Sequence, residues 1–271
     1  MSEDPLAPLI DALHASRLRV WSIVVTIFGD AIQPRGGRAA MSELQAITDR
    51  LSIEGGALRT AMSRLAREGW VDRDREGRNS FYALSAEGRR VFSPATQRIY
   101  SGRFTAPDSN WIIAIPLGSD IAEGSTLPLA RNVHLIRRDQ ITARREAGDF
   151  ILSGTPDQIP DWLRQNAFDA RLTQDYQTLA DHLERLTPQS LSRLPAIDAL
   201  AMRILLIHFW RRLVLRHPAP PAELMPKDWP GQRCHIALTR LYPALIQPSE
   251  AFWHTATSAS GSRTLNTRFQ P

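Results

Sequence analysis

The segment Ser16–Ala31 admits few folds. Leu18, Val20, Trp21, Ile23, Val24, Val25, Ile27 and Phe28 leave it almost no polar face, and a helix that is apolar nearly all round belongs inside a domain rather than on its surface. Its longest apolar stretch, Val20–Phe28, stops at Gly29-Asp30 and is too short to cross a bilayer. The first nine residues are acidic and broken by proline, unlike a secretory signal. The expectation is a soluble cytoplasmic protein with no membrane partner, whose core forms around this helix.

Turn chemistry punctuates the next fifty residues. Pro34-Arg35-Gly36-Gly37 reads as a loop and Arg38–Met41 as a short strand. Ser42-Glu43-Leu44-Gln45 has the pattern of a capping box and opens a second helix, with Leu44, Ile47 and Leu51 on one face. That helix breaks at Ser52–Glu54, and a third starts near Gly55. On the third helix Leu58, Ala61, Met62 and Leu65 share an arc of about 100°, while Arg59, Thr60, Ser63, Arg64 and Arg67 lie opposite. Guanidiniums and hydroxyls on one helix face are the groups that bond base edges and phosphates in a major groove. The same pattern also describes the solvated, Arg-rich surface of a helical bundle.

Trp70–Arg75 and Asn79–Leu84 read as two strands around Glu76-Gly77-Arg78, a hairpin, and Ser85-Ala86-Glu87-Gly88 starts another helix. Helix, strand, helix, helix, hairpin, helix is the order of a winged helix-turn-helix domain. Its wing would bring Arg75, Arg78 and Asn79 to neighbouring phosphates or to the minor groove.

Composition narrows the chemistry. Of 33 basic residues only Lys227 is a lysine, and it follows no glycine-rich loop, which excludes P-loop, Schiff-base and kinase chemistry. Arginine is the cation suited to bidentate contacts with phosphate and guanine. Cys234 is the only cysteine, so an internal disulfide and a Cys-rich zinc site are excluded; it is expected to be a small core residue. The histidines at 14, 134, 182, 208, 217, 235 and 254 have no metal-ligand spacing, and no nucleophile elbow or dinucleotide loop is present. Neither metal, cofactor nor enzymatic activity is expected.

Three segments together resemble one family. Val24-Val25-Thr26-Ile27-Phe28-Gly29-Asp30-Ala31 with Pro34-Arg35-Gly36-Gly37, Leu58-Arg59-Thr60-Ala61-Met62-Ser63-Arg64-Leu65 with Glu68-Gly69-Trp70, and Leu213–Pro218 with Pro221–Gly231 resemble the PaaX family of transcriptional regulators. His217 stands where the family usually has Asp, and the middle of the chain matches poorly. The resemblance implies an α+β chain: a winged helix-turn-helix at 1–101, a ferredoxin-like middle domain at 102–160, a mainly helical effector and dimerisation domain at 161–254, and a flexible tail at 255–271. It implies a homodimer that represses an aromatic, phenylacetate-type catabolic operon. That homodimer would leave its double-stranded operator when an aryl-CoA thioester such as phenylacetyl-CoA binds. Arg59, Thr60, Ser63 and Arg64 would then read or flank bases, with Arg67, Arg75, Arg78 and Asn79 on or near the backbone. A regulator of another pathway, with a different effector or none, remains the alternative.

In the middle, Trp111–Ile115 and Asp149–Ser153 read as strands, and Ala130–Arg145 is Arg-rich without an aliphatic helix pattern. A metal-dependent nuclease of the ferredoxin-like type would need a carboxylate at the end of the first strand. Asp120 is the nearest and reads as a loop residue or helix cap. Further on, Asp161–Leu186 has helical periodicity, with Trp162, Leu172, Tyr176, Leu179 and Leu183 as core candidates. Pro195–His217 is a long helix decorated by Arg203, Arg211, Arg212 and Arg216. Those arginines either clamp the phosphates of a CoA ester or form surface and inter-domain ion pairs. Pro218–Pro230 holds five prolines in thirteen positions and must extend or turn, with Trp229 either pinning that loop or lining an effector pocket. Ile236–Gln247 reads as a helix and Thr255–Pro271 as a loose tail.

Overall fold

The computed structural model describes residues 4–15, 19–101, 110–118, 126–166, 168, 170–216, 221–254 and 268–269. Ser16–Leu18, residues 102–109 at the start of the expected middle domain, Asp120, His217 and most of the expected tail lie outside the described residues. The fold is α+β, with many helices and two small antiparallel sheets.

The chain begins with α1 (Ala7–Ala15), which the proline-broken start did not suggest; Leu9, Ile10 and Leu13 bury its inner side. The apolar helix is α2 (Val20–Thr26), which continues as a π-helical turn over Ile27–Ile32 and a 3-10 turn over Gln33–Arg35. Gly36, at φ 90°, ends it in a backbone conformation that side chains disfavour. Next come β1 (Arg38–Ala40), α3 (Met41–Arg50), α4 (Gly55–Arg67), β2 (Val71–Glu76), β3 (Asn79–Leu84) and α5 (Ala86–Tyr100). Only half of the capping box forms. The N-cap is Ala40, two residues earlier than the pattern suggests, and Glu43 accepts its N–H at 2.7 Å while Ser42 caps nothing. The three strands pair in the order β1-β3-β2, with Glu76 opposite Asn79 across the turn.

The second sheet is built from β4 (Trp111–Ile115), β5 (Leu127–Ala130), β6 (Val133–Leu135) and β7 (Phe150–Gly154), in the order β5-β6-β4-β7. The short helix α6 (Ile141–Glu146) joins β6 to β7. Ile112, Ala114 and Ile136 bury one face with Ile141 of α6. On the other face Trp111, Leu127 and Leu135 pack against Leu163 and Leu224, whereas Ile115, Phe150 and Leu152 stay exposed.

The rest is helical: α7 (Asp161–Asn166), α8 (Ala170–Glu184), α9 (Pro188–Leu191), α10 (Ala196–Val214) and α11 (Pro230–His254). The periodicity over Asp161–Leu186 therefore belongs to two helices, and Trp162 is exposed rather than in the core. The helix expected at Ile236–Gln247 extends from Pro230 to His254 and carries Pro243 and Pro248 inside it. Cys234 is buried, its thiol on the Tyr176 carbonyl at 3.2 Å.

One core joins the first hundred residues to the helical part, and α10 is its axis. Trp210 Nε1 donates to the Ile99 carbonyl at 2.7 Å, Arg98 to the Val214 carbonyl at 2.9 Å, and Thr26 Oγ1 meets His208 Nδ1 at 3.0 Å. At the centre lies a buried charge cluster. Arg203 Nε donates to Asp30 Oδ2 at 2.7 Å and its NH2 to the Asp30 carbonyl at 3.0 Å, while its NH1 reaches Ser249 and Glu250. Tyr242 and Tyr100 donate their hydroxyls to Asp30 Oδ1, Arg35 pairs with Glu250, and Arg268 reaches the Asp30 carbonyl and carboxylate at 3.1 Å. Arg268 and its buried neighbour Phe269 belong to the segment expected as a loose tail, so its far end is held by the core. Burial works to raise the Asp30 carboxyl, but Arg203, Arg268 and the Tyr100 hydroxyl outweigh it and hold the group below its usual range.

Breaking a buried pair strands the surviving charge. Asp30→Asn is expected to cost about 3–5 kcal/mol in urea denaturation. His208 gives a separate signature. Burial, with Arg211 and Arg212 nearby, pushes it well below 6.5 in the fold, so the unfolded chain takes up the proton first. Stability should hold above about pH 6.5 and fall below it, by at most ~1.4 kcal/mol per unit; His208→Asn should make that slope shallower.

Candidate nucleic-acid interface

α3 and α4 meet at a tight corner. Thr48 O accepts from the Leu51 and Ile53 N–H groups at 3.1 and 2.9 Å, and Ser52 sits at φ 57°. Gly55 begins α4 against α3, where a Cβ would lie 2.8 Å from Gln45 Oε1. Leu58, Ala61, Met62 and Leu65 are buried against α2 and α3. That anchoring fixes which side of α4 faces out: Arg59, Thr60, Ser63, Arg64 and Arg67 are all exposed.

The exposed side chains differ in what they already hold. Thr60 Oγ1 donates back to the Gly56 carbonyl at 3.0 Å, leaving its oxygen lone pairs outward. Arg64 pairs with Glu68 at 2.6 Å and lies over the Trp21 ring at 5.8 Å. Arg59 and Arg67 have no carboxylate partner among the described residues.

The hairpin stands beside α4. Gly77, at φ 60°, takes the first turn position, as a two-residue hairpin loop requires. Arg75, Arg78 and Asn79 are exposed at its tip. The β2 strand alternates Asp72, Asp74 and Glu76 with Arg73 and Arg75, so one face is acidic. Arg38 of β1 reaches across to Asp74 and Glu76 and lies 3.9 Å from the Phe81 ring centroid. Its role escapes a sequence reading, because nothing but strand pairing brings residue 38 to residue 76. Arg73 donates to Ser80 Oγ at 2.9 Å. Ser85 caps α5 through the Gly88 N–H at 2.9 Å and donates its hydroxyl to the Gly69 carbonyl, tying the hairpin base to α4.

Two comparisons bear on what this surface belongs to. Residues 19–88 match the family described as PaaX-like protein, and residues 169–255 match the PaaX-like protein C-terminal domain. Transcriptional repressor PaaX of Escherichia coli (strain K12) is 30% identical over 269 residues, covering 89% of this chain and 85% of that protein. The chain belongs to the PaaX family. Among solved structures, Uncharacterized protein Rv0674 from Mycobacterium tuberculosis aligns at a TM-score of 0.48 and 19% identity, over 78% of this chain and 90% of that one. The first PaaX match runs from just before α2 into the first turn of α5, and the second covers α8 to α11.

The arginines expected to clamp a CoA ester do not converge in this PaaX family member. Arg203 is fully buried among Asp30, Ser249 and Glu250. Arg211 is largely buried and donates to the Ser22 carbonyl and hydroxyl at 3.1 and 2.8 Å. Arg212 and Arg216 line a cavity of about 220 Å3 with Asp175, His182 and Phe209, and Arg216 is paired there with Asp175. Trp229 is buried on Phe168 and Tyr176, with centroids at 4.8 and 5.1 Å.

One position tests the join between hairpin, α4 and α5. A Cβ on Gly88 would fall 2.3 Å from the Trp70 carbonyl oxygen. Gly88→Ala should destabilise the fold by about 1–3 kcal/mol, read as a lowered urea midpoint.

Proposed function

We propose that this PaaX family protein is a DNA-binding transcriptional repressor in which α3 and α4 form a helix-turn-helix and β2–β3 the wing. The supporting observation is the outer face of α4. Its apolar side is consumed by the core, and Arg59, Thr60, Ser63, Arg64 and Arg67 all point to solvent beside an Arg-tipped hairpin. Arg59, Thr60, Ser63 and Arg64 read or flank bases, while Arg67, Arg75 and Arg78 hold phosphates and Asn79 lies near them. Arg38 assists by covering the carboxylates of β2, which would otherwise repel the DNA backbone.

The protein acts as a homodimer on a two-fold operator. The exposed Ile115, Phe150 and Leu152 at the β7 edge, with Leu117 beside them, are the apolar surface a second copy would cover. The middle sheet supports a ferredoxin-like reading, because its order β5-β6-β4-β7 is the ferredoxin-like order 2-3-1-4 with every neighbour antiparallel. The operon serves aromatic, phenylacetate-type catabolism, and an aryl-CoA thioester such as phenylacetyl-CoA releases the operator. Release is a population shift: the thioester favours a geometry in which the two heads no longer match the half-sites.

Arg64→Ala should weaken binding to the specific operator by about 1–3 kcal/mol and relax preference at one base pair. Arg67→Ala should weaken operator and random DNA alike and flatten the salt dependence. Both are read by gel shift across a series of operator variants and salt concentrations. Unchanged affinity in the Arg64 variant would remove α4 from the interface.

A further inference from the structure

Between α2, α5 and α10 lies a cavity of about 210 Å3. Its walls are mostly apolar and aromatic, with Trp21, Trp70, Phe92, Ile99 and Ile207 among them. Thr26, Asp30, Thr96 and Tyr100 also line it, each already hydrogen-bonded within the fold, which leaves two polar groups of the lining unsatisfied. Trp21 Nε1 and Arg211 Nε are both buried and have no hydrogen-bond partner among the described residues. The Arg211 guanidinium bonds only Ser22, through its NH2, and pairs with no carboxylate among the described residues. Burial, with Arg212 close by, pushes it down to about 10. Stranded buried donors cost stability until an acceptor reaches them.

The volume of the cavity and the chemistry of its walls agree on one ligand class. An apolar cavity of about 150 Å3 already accommodates benzene, so this one suits an aryl ring with a carbonyl oxygen attached and is too small for a whole CoA ester. The remainder of such a molecule would leave past Val91, the exposed residue of the lining. The other cavity along α10 offers a poorer match, because its Arg216 is already paired with Asp175.

We infer that this cavity receives the aryl-acyl end of the releasing thioester, with its carbonyl oxygen accepting hydrogen bonds from Arg211 and Trp21. The inference rests on the aryl-thioester reading above and adds where the acyl group sits and how its arrival is felt at the DNA. Trp21 is the ring over which Arg64 of α4 lies. Trp70 comes just after the end of α4 and meets Phe92 edge-on, with centroids 6.0 Å apart. A ligand entering here displaces the two rings that brace α4. It also inserts between the head helices and α10, since Ile207, Arg211 and Leu215 form the opposite wall. Ligand and operator thus compete through the setting of α4 rather than through a shared surface.

Ala95 of α5 lines the same cavity, so Ala95→Trp fills it from a helix outside the proposed DNA contacts. Full-length wild type, Ala95→Trp and Arg211→Lys are titrated calorimetrically with phenylacetyl-CoA, acetyl-CoA and CoA, and their operator affinity is measured by gel shift. Wild type should bind phenylacetyl-CoA well above the other two. Both variants should lose at least tenfold in that affinity, keep the operator, and fail to release it at thioester concentrations that free the wild type. Unchanged thioester affinity in both variants would place the acyl group elsewhere and leave the effector reading standing. Absence of phenylacetyl-CoA binding by the wild type would overturn the effector reading and this inference together. If Ala95→Trp also loses the operator, Arg211→Lys decides: a tenfold loss of ligand with operator kept supports the site, and unchanged ligand affinity refutes it.

Discussion

Asp30 and Arg203 hold this protein together as one body. A carboxylate at the end of an apolar helix is costly to bury unless it is paired and fully hydrogen-bonded. Arg203, Arg268, Tyr100 and Tyr242 satisfy it from α10, the carboxy-terminal end, α5 and α11. The cluster therefore sets the position of the first hundred residues against the helical body with directional bonds, which an all-apolar joint would not do. The cavity beside it shares Asp30 and Tyr100 as lining residues.

Much of the head was legible in the sequence because local rules sufficed. The span of α4, its buried row and its exposed row come from helical periodicity, and the hairpin comes from Gly77 between two strand-forming runs. Where two principles competed, the outcome was harder to read. The capping box at Ser42 yielded to an N-cap at Ala40, because β1 pairing with β3 carries the strand to residue 40 and starts the helix immediately after it. Trp162 looked like core by period alone, yet the helix it belongs to ends at Asn166 and turns it to solvent.

What the sequence could not show was long-range pairing of charge. Arg203 looked like one more arginine on a helix, and its neighbours Arg211, Arg212 and Arg216 suggested a common task. The fold gives them separate ones: a core partner for Asp30, a bond to Ser22, and the wall of a surface cavity. One signal was available. Asp30 is an acidic residue at the end of an apolar helix, and a buried carboxylate demands a cation from elsewhere in the chain. Arg38 and Trp21 were missed for the same reason, since their partners Glu76 and Arg64 lie far along the chain.

A helix α4 lying in the groove of DNA would hold position 63 against a few adjacent base pairs. Cys234 is buried and its thiol is pushed up to about 12 by burial, so a cysteine introduced on α4 would be the single reactive thiol. Ser63→Cys, coupled to an iron chelate that cleaves nearby DNA, should cut a few adjacent base pairs inside the region the protein protects upstream of its own gene. Protection of that region without cleavage from position 63 would place α4 away from the DNA and contradict the account.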